Sequence, residues 1–305
     1  MSNQIATELN TAQDLINWID RSEKQWSSPM DWVFRGQKLD WWKLEPSAWR
    51  SSTRLLRDGG WQVSETSREQ CQSEFELARR FFLLADAQGL PIPGDCPEVR
   101  SQLQSYQDLN EFDDQNQWPT PELVWLLAIA QHYGVPTRLI DWTRKPLVAA
   151  WFAAEKAAEK WELSADKDSL RNNRFIVWAL KRKSQGVDVL GEAGWKLTSA
   201  PRSSVPNLHL QSGMFTYQIT ESDDYEANKV TTPLCESLIQ YCEDDLNDAK
   251  IETVLKAASV PWSEAGLLLT LLRDRFVQGA TVYAGYEGVK RSVLEHRWRK
   301  PVTDR

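Results

Sequence analysis

The run from Thr120 to Glu162 constrains this chain more than any other. Thr120-Pro121-Glu122 offers a capping residue, a proline at the first helical position and an acid in the first turn. Leu123 to Gln131 is then apolar on nearly every side, so the helix it predicts must be buried. Gly134 supplies a left-handed end and Pro136 prevents resumption. Thr137 to Trp142 (TRLIDW) reads as a short strand, and Pro146 to about Glu162 as a long alanine-rich helix that Thr143 can cap. A wholly apolar helix beside a strand and a second helix calls for a sheet covered by helices.

The rest of the chain fits that plan. Thr11 and Asp14 have the spacing of a capping box for a first helix ending near Arg21, and Glu65 to Ala87 carries apolar residues at helical spacing. Asp31 to Gly36 (DWVFRG), Arg174 to Leu180 (RFIVWAL) and Gly213 to Ile219 (GMFTYQI) predict strands, with loop between the last two. Lys43 to Trp61 and Gly89 to Pro119 are expected to be irregular. Ile251 to Ala258 reads as strand or short helix, Ser263 to Arg275 as helix and Ala280 to Tyr283 as a final element. The expected fold class is α+β: one domain, a central mixed or antiparallel sheet of short strands flanked by helices, with an N-terminal helix inside residues 1–30 and a solvated basic tail at 296–305.

Charge and cysteine usage exclude several function classes. Among 305 residues, 36 basic against 43 acidic side chains leave a net charge of −7, which argues against a general polyanion-binding surface. Nucleic acid is therefore a weak expectation, carried only by Lys290 to Arg305. Leu123 to Ala130, the longest apolar run, is far below the roughly 20 residues that cross a bilayer, so no membrane partner is expected. The first residues lack the basic start and apolar core of a secretory signal, and the cytoplasm is the expected location. Four cysteines without a CxxC and three histidines give no zinc spacing, so free thiols and no metal are expected. Sixteen tryptophans, several in polar surroundings such as Trp41, Trp42, Trp49, Trp61, Trp118 and Trp298, read mostly as packing residues, with a minority available to stack on a planar ligand.

Two places carry candidate chemistry. Arg35, between Phe34 and Gly36 at a strand end, is a planar fork beside a residue that permits close approach; it suits a phosphate or carboxylate, or pairs with a surface acid. Gln131, His132, Tyr133, Arg138, Asp141, Trp142 and Thr143 crowd polar groups among apolar runs. Arg138, Arg144 and the helix start after Thr143 could cradle a diphosphate, or Arg138 and Asp141 could pair and lock the turn. His132 reads as a general base, a donor to a sugar hydroxyl, or a helix cap. Gln211 could bond a ribose hydroxyl or an adjacent backbone group. No phosphate loop, nucleophile elbow or metalloprotease helix is present.

The blocks VFRGQ (33–37), LLAIAQHYGVPTRLIDWTRKPLVAAWFAA (126–154), PNLHLQSGMFT (206–216) and VYAGYEGVKRSV (282–293) follow the order of the FRG domain, a bacterial and phage family, and the chain resembles it from about Asp31 to Leu294. The order of motifs is further similar to ADP-ribosyltransferases of the Arg–Ser–Glu type, which implies an ADP-ribosyltransferase-like fold with NAD as substrate. On that resemblance Arg35 takes the arginine role, Asp141-Trp142-Thr143 the serine-threonine-serine triplet and Gln211 the glutamate position, while Phe34, Gly36, His132, Tyr133, Arg138 and Trp142 border the dinucleotide. Two positions depart from the pattern: the triplet is DWT, and a glutamine cannot accept a proton as glutamate does. The resemblance implies an ADP-ribosyltransferase-like enzyme or NAD-consuming effector, such as a toxin or antiphage component, with a macromolecular target and a neutralising partner. A non-catalytic module that binds a nucleotide through the same residues is the alternative.

Overall fold

The computed structural model describes residues 5–20, 22, 24–26, 28–51, 53, 55–57, 60–62, 64–92, 94–105, 117–184, 186–199, 206–225, 231–244 and 250–301. In chain order the elements are β1 (Ala6–Glu8), α1 (Ala12–Trp18), β2 (Trp32–Gln37), β3 (Leu55–Arg57), β4 (Gly60–Gln62), α2 (Ser67–Ala87), α3 (Pro97–Ser105), α4 (Val124–His132), β5 (Ile140–Thr143) and α5 (Pro146–Leu163). They continue with β6 (Arg174–Lys181), α6 (Val189–Glu192), β7 (Trp195–Thr198), α7 (Pro206–Gln211), β8 (Gly213–Gln218), α8 (Leu234–Asp244), β9 (Leu255–Pro261), α9 (Ala265–Arg273), α10 (Gly279–Val282) and α11 (Gly285–Glu295). The class is α+β. One seven-stranded sheet, in the order β1-β9-β6-β2-β5-β8-β7, is antiparallel throughout except where β1 runs parallel to β9.

Sequence pattern accounts for the layers. β6 is buried along its length because its alternate residues enter two different cores: Phe175, Val177 and Ala179 on one face, Ile176, Trp178 and Leu180 on the other. The first face is covered by α1, α5 and α9, and the second by α6 and α8. A third core gathers α2, α3 and α4 against Leu139, Phe215 and Tyr217. The capping box at Thr11 forms as expected, with Asp14 N–H donating to the Thr11 hydroxyl at 3.1 Å and Asp14 Oδ2 accepting from Thr11 N–H at 3.1 Å.

Several local expectations are corrected. The span 43–61 holds β3 and part of β4 as well as a turn of 3-10 helix at Ser47–Trp49, and 89–119 holds α3. The connection between β6 and β8 contains α6, β7 and α7. α8 was legible in the spacing of Leu234, Leu238 and Cys242. The helix after β5 begins at Lys145 with no side-chain cap; the Thr143 hydroxyl instead accepts from Lys145 N–H at 3.0 Å, within the turn. Of the residues after α11, 296–301 are described, and not all of them are solvated. Trp298 is buried in the first core, and Arg299 Nη2 donates to the buried Glu295 at 2.6 Å. Residues 106–116, which hold most of the polar DLNEFDDQNQ stretch, lie outside the described residues, as do Arg21, the Trp61 side chain and 302–305.

Most of the described tryptophans are buried or half-buried packing residues, and several use their N–H groups. Trp49 and Trp118 both donate to Glu74, Trp151 to Glu295, Trp142 to the Thr216 hydroxyl and Trp178 to Gln37. Trp41 and Trp42 are the exposed exceptions. No disulfide joins the four cysteines. Among the described residues, no helix is long and apolar enough to cross a membrane, and no cluster of three or more His, Cys, Asp or Glu is placed to hold a metal.

Candidate active site

The site begins where the sheet comes apart. β2 pairs with β6 over six residue pairs, from Trp32↔Lys181 to Gln37↔Ile176, but with β5 at Phe34↔Thr143 alone. Beyond that point the two strands diverge, and a cleft of about 410 Å³ opens between them, walled by the ends of β2, β5 and β8, by α5 and by Tyr283. Side chains bridge the gap that backbone pairing leaves. Arg35 Nη1 donates to the Asp141 carbonyl at 2.9 Å and to its carboxylate at 2.5 Å. The guanidinium is mostly covered, whereas the Asp141 side chain is 62% exposed and stands open to the cleft.

The charge in this cleft is unlike that of the whole chain. Arg35, Lys38, Arg50 and Lys156 line it, and among its lining residues Asp141 is the one acid. The protein around Asp141 disfavours its charged form, yet Arg35, by charge and hydrogen bond, and Arg50 by charge hold the carboxyl below the usual carboxylate range. Burial and the neighbouring Arg35 lower the pKa of Arg50, while Glu45 and Asp141 oppose that shift. Burial also pushes His132 below its ordinary value, which favours the neutral ring. Its Nε2 lies 3.4 Å from Asn207 Nδ2, and Asn207 Oδ1 accepts from Ala284 N–H at 2.8 Å, so α4, α7 and the C-terminal segment meet at one wall.

Of the residues singled out in the sequence, Phe34, Arg35, Gly36, Gln131, His132, Asp141, Trp142, Thr143 and Gln211 all line the cleft. Their individual roles differ from expectation in several cases. Gly36 serves helix packing: a Cβ there would lie 2.0 Å from the Ala149 carbonyl oxygen and 2.6 Å from Ala153 N, so the close approach it permits is that of α5. Thr143 is buried, its hydroxyl donating to the Gln211 carbonyl, while the Gln211 amide donates to the Val282 carbonyl at 3.3 Å. Trp142 is buried and its indole N–H is engaged by Thr216 at 2.9 Å.

Arg138 and Tyr133 are corrections. Arg138 is buried away from the cleft, where its Nε donates to Glu74 at 2.5 Å and its Nη1 to the Trp118 carbonyl at 2.8 Å. It pairs with neither a diphosphate nor Asp141, and Arg144 is absent from the cleft lining, so the cradle expected at the start of α5 does not form. Tyr133 is 68% exposed and stacks over Phe81, outside the cleft. Sequence reasoning missed Lys38, Arg50, Phe152, Lys156 and Tyr283, and named Trp42 only among the tryptophans able to stack on a ligand. Phe152 and Lys156 follow Ala149 at i+3 and i+7 on one face of α5, a legible signal once that face is known to border a cleft. Arg50 and Tyr283 lie outside the regular part of any long element and carried none.

Residues 30–162 match the family model of the FRG domain. This segment is an FRG domain. It runs from the residues before β2 to the end of α5 and contains Arg35, His132, Asp141 and Thr143; Gln211 and Tyr283, on the other walls of the cleft, come from outside the matched FRG segment. No curated protein and no solved structure matches the chain.

Proposed function

We propose that the chain is an ADP-ribosyltransferase-like enzyme or NAD-consuming effector that binds the dinucleotide in the cleft between β2 and β5. The observation that carries this reading is the pairing of an ionised carboxylate, Asp141, with a surplus of cations in a cleft of nucleotide size. Breaking the bond between the ribose and nicotinamide leaves the electron pair on the departing nicotinamide and positive charge on the ribose. A fixed carboxylate stabilises that charge, and cations bind the diphosphate. Asp141 fills the first role and Arg35, which also aims Asp141, contributes to the second. His132 and the Gln211 amide line the same cleft, and on this reading they bond ribose hydroxyls. The acceptor is water or a group on a macromolecular target, and such an activity fits a toxin or antiphage component that a partner protein neutralises.

The test is incubation of the pure chain with labelled NAD and cell lysate, following nicotinamide release and label transfer. Wild type is expected to show one or both, and Arg35→Ala and Asp141→Asn to lose them. Absence of turnover and of NAD binding in the wild type removes the reading. A second reading, a nucleotide-binding module without turnover, is favoured by one observation: Gln211 supplies an amide where the resemblance calls for a carboxylate. NAD binding without turnover would select it.

A further inference from the structure

Past the end of β2 the cleft lining has a second pole, made by Lys38, Trp42, Phe152 and Lys156. Ala149, Phe152 and Lys156 line it in succession on one face of α5, and Lys160 continues that face one turn further. From Ala149 to Lys160 the helix rises about 16 Å. β2 leads the same way: Gly36 lies against Ala149 and Ala153, and past the strand end Lys38 comes within electrostatic reach of both Lys156 and Lys160. Lys38 Nζ sits 5.1 Å above the ring of Trp42, which is 40% exposed and also lines the cleft. Glu159 accepts from Lys156 at 2.8 Å and, among the described residues, is the acid that acts on Lys38. Three lysines against one acid leave the outer pole cationic in a chain whose net charge is −7. Burial, then repulsion from Lys160 and Lys156, depress the Lys38 pKa, as expected where like charges gather without a matching anion.

We infer that Lys38, Lys156 and Lys160 form a phosphate subsite beside Trp42, and that the cleft selects a dinucleotide carrying an additional ribose phosphate, NADP, over NAD. The inference rests on the dinucleotide reading of the inner pole and extends it to the outer one. With the reacting ribose at Asp141, the far nucleoside reaches the lysines along α5. Its base then meets the half-exposed Trp42 indole beside the lysines, and its extra phosphate gains charge-assisted hydrogen bonds that an unphosphorylated ribose cannot make.

The experiment is calorimetric titration of the full chain with NAD and with NADP, for wild type, Arg35→Ala and the double variant Lys156→Gln/Lys160→Gln. Both lysines are exposed, so the double variant is expected to melt with the wild type. Wild type should bind NADP at least about tenfold more tightly than NAD, the double variant should bind the two dinucleotides equally, and Arg35→Ala should weaken both. Equal or tighter binding of NAD, still dependent on Arg35, overturns the phosphate subsite and leaves the dinucleotide reading standing. An NADP preference that survives in the double variant overturns the assignment to these lysines. Failure of either dinucleotide to bind wild type removes both readings together.

Discussion

Two arginine–carboxylate pairs in this protein have the same contact distance and opposite uses. Arg138 meets Glu74 at 2.5 Å with both side chains 1% exposed, and Arg35 meets Asp141 at 2.5 Å with the carboxylate side chain 62% exposed. The first pair is itself fully engaged: Glu74 accepts from Trp49, Trp118 and Gln70, and Arg138 donates to the Trp118 and Gln218 carbonyls, the Thr220 hydroxyl and Cys71. In the second, Arg35 Nε is buried without a partner among the described residues, and Asp141, which also accepts from Gln131 at 3.4 Å, is open to the cleft. A saturated pair fixes a fold; an unsaturated one beside a cleft is able to bind. Contact distance alone does not distinguish them.

The comparison is broken most severely at Glu74. Glu74→Gln removes the charge that compensates a buried guanidinium, and the expected loss is about 3–5 kcal/mol in urea denaturation. A loss below about 1 kcal/mol would mean that the Arg138 pair is no more structural than its counterpart. Next in size is Gly36→Ala, which forces a Cβ against the backbone of α5 and should cost about 1–3 kcal/mol by the same measurement. If Gly36 serves ligand approach instead, stability will be unchanged and only binding will fall.

Smaller still is the coupling between Arg35 and Asp141. A double-mutant cycle with Arg35→Ala and Asp141→Ala should give no more than about 1 kcal/mol of stability, because the carboxylate is largely open to water, while dinucleotide binding is weakened by Arg35→Ala and turnover is lost in each single variant. The sign with pH follows from the direction of the shift. The folded-state pKa of Asp141 lies below its ordinary value of 3.8, so the contribution is full above that value and disappears as pH falls through the folded one. Loss of the coupling near neutral pH would contradict the assignment. The smallest effect is at His132. Its NMR titration midpoint should fall below the ordinary 6.5, and the stability it contributes as a neutral ring, complete above 6.5, should decline as pH drops from there toward its folded value. A midpoint above 6.5 would place an anion, not apolar protein, against the ring.

Much of the fold was open to sequence reading where local physics decides it. The capping box at Thr11, the stop at Gly134, whose φ is +87°, and the apolar helix that became α4 each depend on residues within a turn of one another. α3 and the elements between β6 and β8 were harder because they are short, and their contacts are made to distant parts of the chain. The site divided along the same line. Arg35, His132, Asp141 and Thr143 stood out as polar groups among apolar runs and do converge, whereas Lys38, Arg50 and Tyr283 reach the cleft only because separate stretches of chain meet there.

By itself, then, the sequence determined which residues alternate on each strand, where helices begin and end, and which polar side chains share a turn, since all of these depend on periods of two and 3.6 along the chain. Only the tertiary structure decided that Arg138 faces α2 and Arg35 the cleft. Each arginine lies beside apolar residues in a strand or just before one, and alternation says which residues share a face without saying what covers it. That choice was made by the strand order, which sets β2 between β6 and β5, and by the pairing at Phe34↔Thr143 beyond which the sheet opens.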